Sequence, residues 1–487
     1  MTSRDVFAVL LIAVPTLTAA VVSLAPQRLV RRVALFGSVP TSAIATGLAI
    51  LAFRDLAHPT VGTWLVVDPA GVLLVVVIGV VGLLSVLASP AYLDTSQSSL
   101  VRPERRERTY FAVLYGFWAI LLAVPLAGNV GAAWLLIEAT TAASALLVGF
   151  SGKARALEAA WKYLVLTSLG LGVALLGIVL LSAGVPGGGV GSLSWHALTT
   201  YSSGRGTALV AYLLLLVGLA TKIGWAPVHN WLPDAHSEAP APVSALLSSA
   251  LLPAVLLVAW RSQQALAPVV GERTTRTVLV GFGIASLVVA VPFLWRPMAW
   301  KRLLAYSSLE HMGVIALGIG FATPLAIAGV VIHLSAHAVA KALGFYAATP
   351  LLAHEPRAAG HAVTGIGRTQ PRLGAAMGLS LGTLAGLPPF PLFVSEVLVL
   401  AGGFQAGRPW TAAVAAVLLA LGFLGLAHTL IETTVGKPRR SRVSEAVGLG
   451  GVTALTLVSA VALLALAAAG PWLSRTDLVD ALVRGLP

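Results

Sequence analysis

The sequence predicts an all-α polytopic membrane protein of about fourteen transmembrane helices, and three observations carry that prediction. Hydrophobic residues make up 57% of 487 positions against 10% charged, with a mean hydropathy of +0.91, which no soluble globular domain matches. The apolar stretches run about 20 residues without the alternation of a barrel strand. Basic residues, counted connection by connection, favour one side of such a bundle.

Fourteen apolar spans read at about 5–25, 33–53, 70–92, 109–127, 130–150, 157–182, 206–226, 234–260, 275–295, 300–320, 323–351, 373–403, 410–432 and 446–470. Val6–Ala25 is followed by further spans and reads as the first helix, not as a cleaved leader. With the N-terminus outside, alternation puts 19 basic residues in the inside connections. These run from Arg28, Arg31 and Arg32, through Lys301 and Arg302, to Lys437, Arg439, Arg440 and Arg442. The outside segments then hold 9: Arg4, Arg54, Arg205, Arg261, Arg273, Arg276, Arg408, Arg475 and Arg484. The bias predicts N-out and C-out, and it makes the net charge of +13 a record of topology and not of nucleic-acid binding. There is no cysteine, so iron–sulfur and thiolate-zinc sites are excluded and any redox chemistry belongs to another subunit.

No soluble domain is expected. The run Gly184–Leu193 is rich in glycine but lacks the lysine and Ser/Thr of a phosphate loop, and reads as a connection. The stretch Gly218–Leu252 organises the chain. An apolar run reaches Lys222 and then meets Pro227, Pro233, Pro240 and Pro242, with His229, Asp234, His236 and Glu238 between them. Such a break frees backbone carbonyls, so it has to line protein or water. GLATKIGWAP (218–227) is echoed weakly by GTLAGLPPFP (382–391), five spans later. An odd offset implies two inverted five-helix repeats, with broken helices 7 and 12. The expected organisation is a three-helix segment 1–108, halves 109–260 (helices 4–8) and 261–432 (helices 9–13), and helix 14 with its tail, 433–487.

The few charges inside spans are the most informative residues. A lysine at bilayer depth costs roughly 2.5–3.5 kcal/mol on insertion scales. Glu138, Lys222, Lys341 and Glu396 all lie too deep to snorkel fully. His333, His337 and Lys341 fall at i, i+4, i+8, on one helix face, and Glu310 and His311 open another span. Glu158 and Lys162 are an i, i+4 pair, read equally as an interfacial salt bridge or as accessory to a relay. Asp234 reads as a helix cap after Pro233, and His333 as either a packed or a relaying imidazole. The HxxxH of 333–337 lacks a third ligand and has Lys341 beside it, so no metal is expected. Lysine, glutamate and interleaved histidine suit a proton wire; Na⁺/H⁺ exchange is the alternative these residue types leave open.

At these residues the chain resembles the antiporter-like, proton-translocating subunits of respiratory complex I, Mrp-type Na⁺/H⁺ antiporters and membrane-bound NiFe hydrogenases. WLPDAHSEAPAPVSALL (231–247) carries the resemblance. WLLIEATT (134–141), ALEAAWKYL (156–164), YSSLEHMG (306–313), HLSAHAVAKAL (333–343) and GLPPFPLFVSE (386–396) support it over about residues 70–430. The component F type of hydrogenase-four-like complexes is the most similar branch. The resemblance implies a relay of Glu138, Lys222, His236, His311, His333, His337, Lys341 and Glu396, with Glu158, Lys162, Asp234 and His229 as accessories. In it Glu138 pairs with Lys222, and Glu396 faces the exit. It also implies no cofactor on this chain, NiFe and iron–sulfur clusters in partner subunits, a peripheral redox arm, and a bacterial or archaeal cell membrane. Pro253 departs from the pattern, standing where several complex I members carry an eighth-helix lysine. The chain ends soon after span fourteen, leaving no room for the long lateral helix of the largest members.

Overall fold

The computed structural model describes residues 3–56, 59–96, 100–185, 193–202, 204–438, 449–473 and 477–484. Arg439, Arg440, Arg442, Arg475 and most of the glycine-rich run lie outside the described residues.

Thirteen helices are long and apolar enough to cross a membrane, and one further crossing is split in two. The first spans are α1 (Ser3–Leu24), α2 (Gln27–Phe53), α3 (Pro69–Thr95), α4 (Pro103–Ala123), α5 (Val130–Val148) and α6 (Ala154–Gly184). A small hairpin, Thr60–Val61 with Val66–Val67, sits between α2 and α3, a β element the all-α reading did not include. After the short α7 (Trp195–Leu198), α8 (Arg205–Ile223) breaks, and α9 (Leu232–Glu238) follows. The next crossing is α10 (Ala241–Leu246), a π turn at Leu247–Leu251 and α11 (Leu252–Val270). Then come α12 (Glu272–Leu294), α13 (Trp300–Phe321) and α14 (Pro324–His354). The short α15 (Ile366–Thr369) leads to a split crossing, α16 (Pro371–Leu384) and α17 (Pro391–Gln405), then α18 (Pro409–Val435), α19 (Leu449–Leu473) and the short α20 (Asp477–Arg484).

Two boundaries correct the sequence reading. The segment 232–238 belongs to the break after α8, and the eighth span starts at Ala241 and continues to Val270, not 234–260. Arg261, assigned to an outside connection, is buried within α11 and bonds Asp68 at 2.8 Å. Asp68 is also the N-cap of α3, accepting from the Gly71 N–H at 2.6 Å. Breaking a buried ion pair from one side leaves an uncompensated charge. Arg261→Leu should therefore destabilise the chain by about 3–5 kcal/mol, read as earlier unfolding in detergent.

The crossing of α10 and α11, together with α13 and α14, is the most enclosed part of the bundle, whereas α1, α18 and α19 are largely exposed. Pro253 lacks an N–H, and its ring would clash with the carbonyl four residues back; the π turn ending two residues before it is where the chain absorbs that conflict. Two backbones come close where α8 crosses α6. A Cβ on Gly218 would lie 2.4 Å from the Ala174 nitrogen and 2.5 Å from the Gly170 carbonyl, so only glycine lets the two helices approach. That approach sets Lys222, one turn further along α8, against Tyr163 of α6.

Both breaks end their helices in the same way. Gly224 (φ 78°) and Gly386 (φ 69°) take the left-handed conformation. The following residues close back five positions, Trp225 N–H to the Ala220 carbonyl and Leu387 N–H to the Gly382 carbonyl, both at 3.1 Å. The structural match pairs Gly224 with Gly386 and Pro227 with Pro389, a register two residues away from the one the letters suggested.

Candidate functional site

Lys222 is fully buried in the last turn of α8, where the helix dipole favours a cation. Its ammonium donates to Thr141 of α5 at 2.7 Å and to the Tyr163 hydroxyl of α6, and lies 4.4 Å from the Tyr163 ring centre. Tyr163 in turn is 2.7 Å from Ser144. Glu138, one turn before Thr141, accepts from Ser168 at 2.6 Å, and its second oxygen is buried with no partner among the described residues. The expected Glu138–Lys222 pair is thus not in direct contact, and Thr141 and Tyr163 hold the lysine.

From Tyr163 an aromatic stack leads inward. The Trp231 ring is 4.7 Å from that of Tyr163 and 6.4 Å from that of His236, which faces Phe345 at 5.4 Å. Trp231 is fixed by its indole N–H on the Thr221 carbonyl at 2.6 Å. His236 is fully buried, and neither ring nitrogen has a partner among the described residues. Phe345 lies one turn along α14 from Lys341, which is also fully buried and donates to Ser307 and to the Leu304 carbonyl of α13. Ser308 meets Ser248 of the π turn at 2.8 Å, joining α13 to the crossing that carries Pro253.

A histidine cluster follows. His311 and His337 have ring centres 5.0 Å apart, His311 Nδ1 is 3.1 Å from His333 Nε2, and His333 Nδ1 is 2.9 Å from Ser395. Glu396 is the next residue in α17 and lies against the second break; a Cβ on Gly386 would meet its carboxylate at 2.8 Å. Ligand atoms of His311, His333 and Glu396 lie within 4.8 Å of one another, while His337, the other half of the HxxxH, is not in that group. Buried Glu310 points at α18, where a Cβ on Gly422 would overlap its carboxylate oxygen.

The accessory residues sit on the rim. Lys162 pairs with Glu158 at 2.5 Å and Asp234 at 3.7 Å, and Asp234 also takes Arg302. Asp234 lies in the first turn of α9, but its carboxylate is used by these cations and not as a cap. Lys162 is about half exposed, so its ion pairs are screened by solvent and contribute little, and Lys162→Met should leave the unfolding temperature essentially unchanged. A thermal unfolding comparison checks this. His229 is buried in the break, its Nδ1 without a described partner.

Three groups escaped the relay residues chosen from sequence: Tyr163, Glu310 and Lys301. Lys301, counted with connection charges, is buried at the start of α13 and donates to the Ser237 carbonyl at 2.8 Å and to that of Ala239. It lines a cavity of about 290 Å³ with Glu238, Ser237, Thr349 and Tyr92.

Comparison with known proteins places this arrangement. Residues 127–423 match the model of the NADH:quinone oxidoreductase/Mrp antiporter transmembrane family, a stretch that holds both breaks and the titratable groups from Glu138 to Glu396. The chain belongs to this family. A hydrogenase-4 component F homolog of Methylacidiphilum infernorum is 31% identical over 387 residues, covering 78% of this chain and 80% of that protein. Among solved structures, a chain of the membrane-bound sulfane sulfur reductase, an archaeal respiratory membrane complex, superposes with a TM-score of 0.85 at 21% identity, over 99% of this chain and 97% of the other. A chain of the Mrp complex from a Dietzia species gives 0.82 at 20% identity, over 99% of both. As a family member the chain is an antiporter-like, proton-translocating subunit of a membrane complex.

Proposed function

We propose that this subunit moves protons along one buried line, from Lys222, tuned by Glu138, through His236, Lys341 and the histidine cluster to Glu396, driven by a redox module in partner subunits. The observation that carries the reading is the chain of contacts itself. Titratable groups follow one another through the bundle, the central ones on the enclosed α13 and α14, and several of their polar atoms lack partners among the described residues. Buried polar atoms are costly unless satisfied, so ordered water completes the line at His236 and His337.

Each group has a role that its surroundings allow. Lys222 carries the proton in the first half, and Glu138 tunes it through space, without contact. Tyr163 and Thr141 position the ammonium. The cavity beside Lys301 and Glu238 gives access from one face, and the break at Gly386 opens toward the other beside Glu396. The two halves, 109–260 and 261–432, act as inverted repeats around the paired breaks, and the basic-residue bias orients the chain N-out and C-out in a bacterial or archaeal cell membrane.

The relative from Methylacidiphilum supports a hydrogenase-like arm bearing NiFe and iron–sulfur clusters as the driving module, with no cofactor on this chain. The likeness to an Mrp complex favours a second reading, Na⁺/H⁺ exchange. Reconstituted complex in proteoliposomes separates them. Redox-driven acidification independent of Na⁺ supports proton pumping, and a strict Na⁺ requirement supports exchange. In the same assay Glu138→Gln should slow pumping several-fold without abolishing it, because Glu138 does not touch the proton carrier.

A further inference from the structure

A second feature lies away from the relay, where α12, α14 and α18 begin. A cavity of about 810 Å³ opens there, lined by Arg273, Arg276, Arg408, Thr323 and Trp410 among others. Its size falls in the range of ligand sites. With Arg261 inside α11, the side it opens on carries only 8 basic residues against 19, and three of the 8 converge here, so the topology bias does not explain them.

The charge is unbalanced. One carboxylate, Glu272, pairs with Arg276 at 2.9 Å. Arg408 donates to Thr277 at 3.0 Å. Arg273 has no side-chain hydrogen bond or ion pair among the described residues, and the Arg276 Nε is buried without one. Burial, with Arg273 and Arg276 beside it, pushes the Arg408 guanidinium below its ordinary range. Three long helices also start at the wall: α12 at Glu272, α14 at Pro324 behind Thr323, and α18 at Pro409 behind Arg408. Their N-terminal dipole ends add positive potential, and Arg408, at the N-cap position of α18, offers that helix no side-chain acceptor. Ala322, also in the wall, is the one non-glycine residue with positive φ (53°) among the described residues, a conformation that ordinary helix ends leave to glycine.

We infer that this cavity binds the phosphodiester headgroup of an anionic phospholipid. Guanidinium forks match phosphate oxygens two at a time, and three of them offer room for such a group at the span ends. The apolar surface below the cavity argues for a lipid and against a free anion. Trp410, 84% exposed, stands at its lip, and Val414, Val417, Leu421 and Leu424 continue from it down one exposed face of α18 at i+4, i+7, i+11 and i+14. A headgroup in the cavity would lay its acyl chains along that stripe.

The test is native mass spectrometry of the purified complex after delipidation, with phosphatidylglycerol, phosphatidylcholine or inorganic phosphate added back. Phosphatidylglycerol should be retained, phosphatidylcholine should not, and excess phosphate should fail to displace it. Arg273→Gln with Arg276→Gln and Arg408→Gln should lower retention about tenfold or more, while Arg28→Gln, an exposed arginine at the opposite ends of the helices, should leave it unchanged. If the triple variant does not assemble, Arg408→Gln alone, which gives up one hydrogen bond to Thr277, should still lower it several-fold. Equal retention by every arginine variant, or displacement by phosphate alone, would overturn the assignment.

Discussion

Lys222→Met should abolish proton pumping while the subunit still assembles. The loss follows from removing the one titratable group between the Glu138 region and the aromatic stack. That assembly survives follows from what the lysine leaves behind. Thr141 keeps its bond to the Ile137 carbonyl at 3.2 Å, and Tyr163 keeps Ser144 at 2.7 Å, so no hydroxyl is orphaned. Replacing a buried charge by an apolar chain of similar length is often neutral or stabilising, provided its partners stay satisfied. Proton uptake by proteoliposomes of the whole complex should fall to the leak of protein-free liposomes, at normal subunit content. Pumping at the native rate would remove Lys222 from the pathway.

Lys341→Met should be equally severe and equally well tolerated by the fold. Ser307 retains the Leu304 carbonyl at 3.1 Å, and that carbonyl retains the Ser308 hydroxyl at 2.9 Å. What is lost is the only lysine between His236 and the histidine cluster, in a crossing whose neighbour carries Pro253. Because Pro253 stands on that neighbouring crossing, no lysine there can take over. The same uptake assay checks the outcome, and residual pumping above half the native rate would show that water and histidine alone bridge the centre.

Most of the fold was legible because length and apolarity are local properties. The breaks were legible because glycine and proline interrupt apolar runs at Gly224 and Gly386. What the sequence hid depends on distant partners. Arg261 looked like the end of the eighth span, yet Asp68, from the start of the third, lets the helix continue to Val270. Lys301 follows a proline-containing connection and looks like any loop cation; only the carbonyls of Ser237 and Ala239, brought over it by the break, make it a buried group. Tyr163 has no charge to mark it within ALEAAWKYL, and its contact with Lys222 appears once α8 is pressed onto α6 at Gly218. Glu310 stood next to His311 in the sequence, but the two side chains part, one toward α18 and the other toward His333.

The central claim is that the two halves form one line in series, and epistasis between its lysines tests it most directly. Protons moved per electron transferred should be measured in the intact complex for Lys222→Met, Lys341→Met and the double variant. Groups in one series act as a unit, so each single change should lose as much as the pair. Partial losses that add up in the double variant would mean two independent paths, and the single buried line would be wrong.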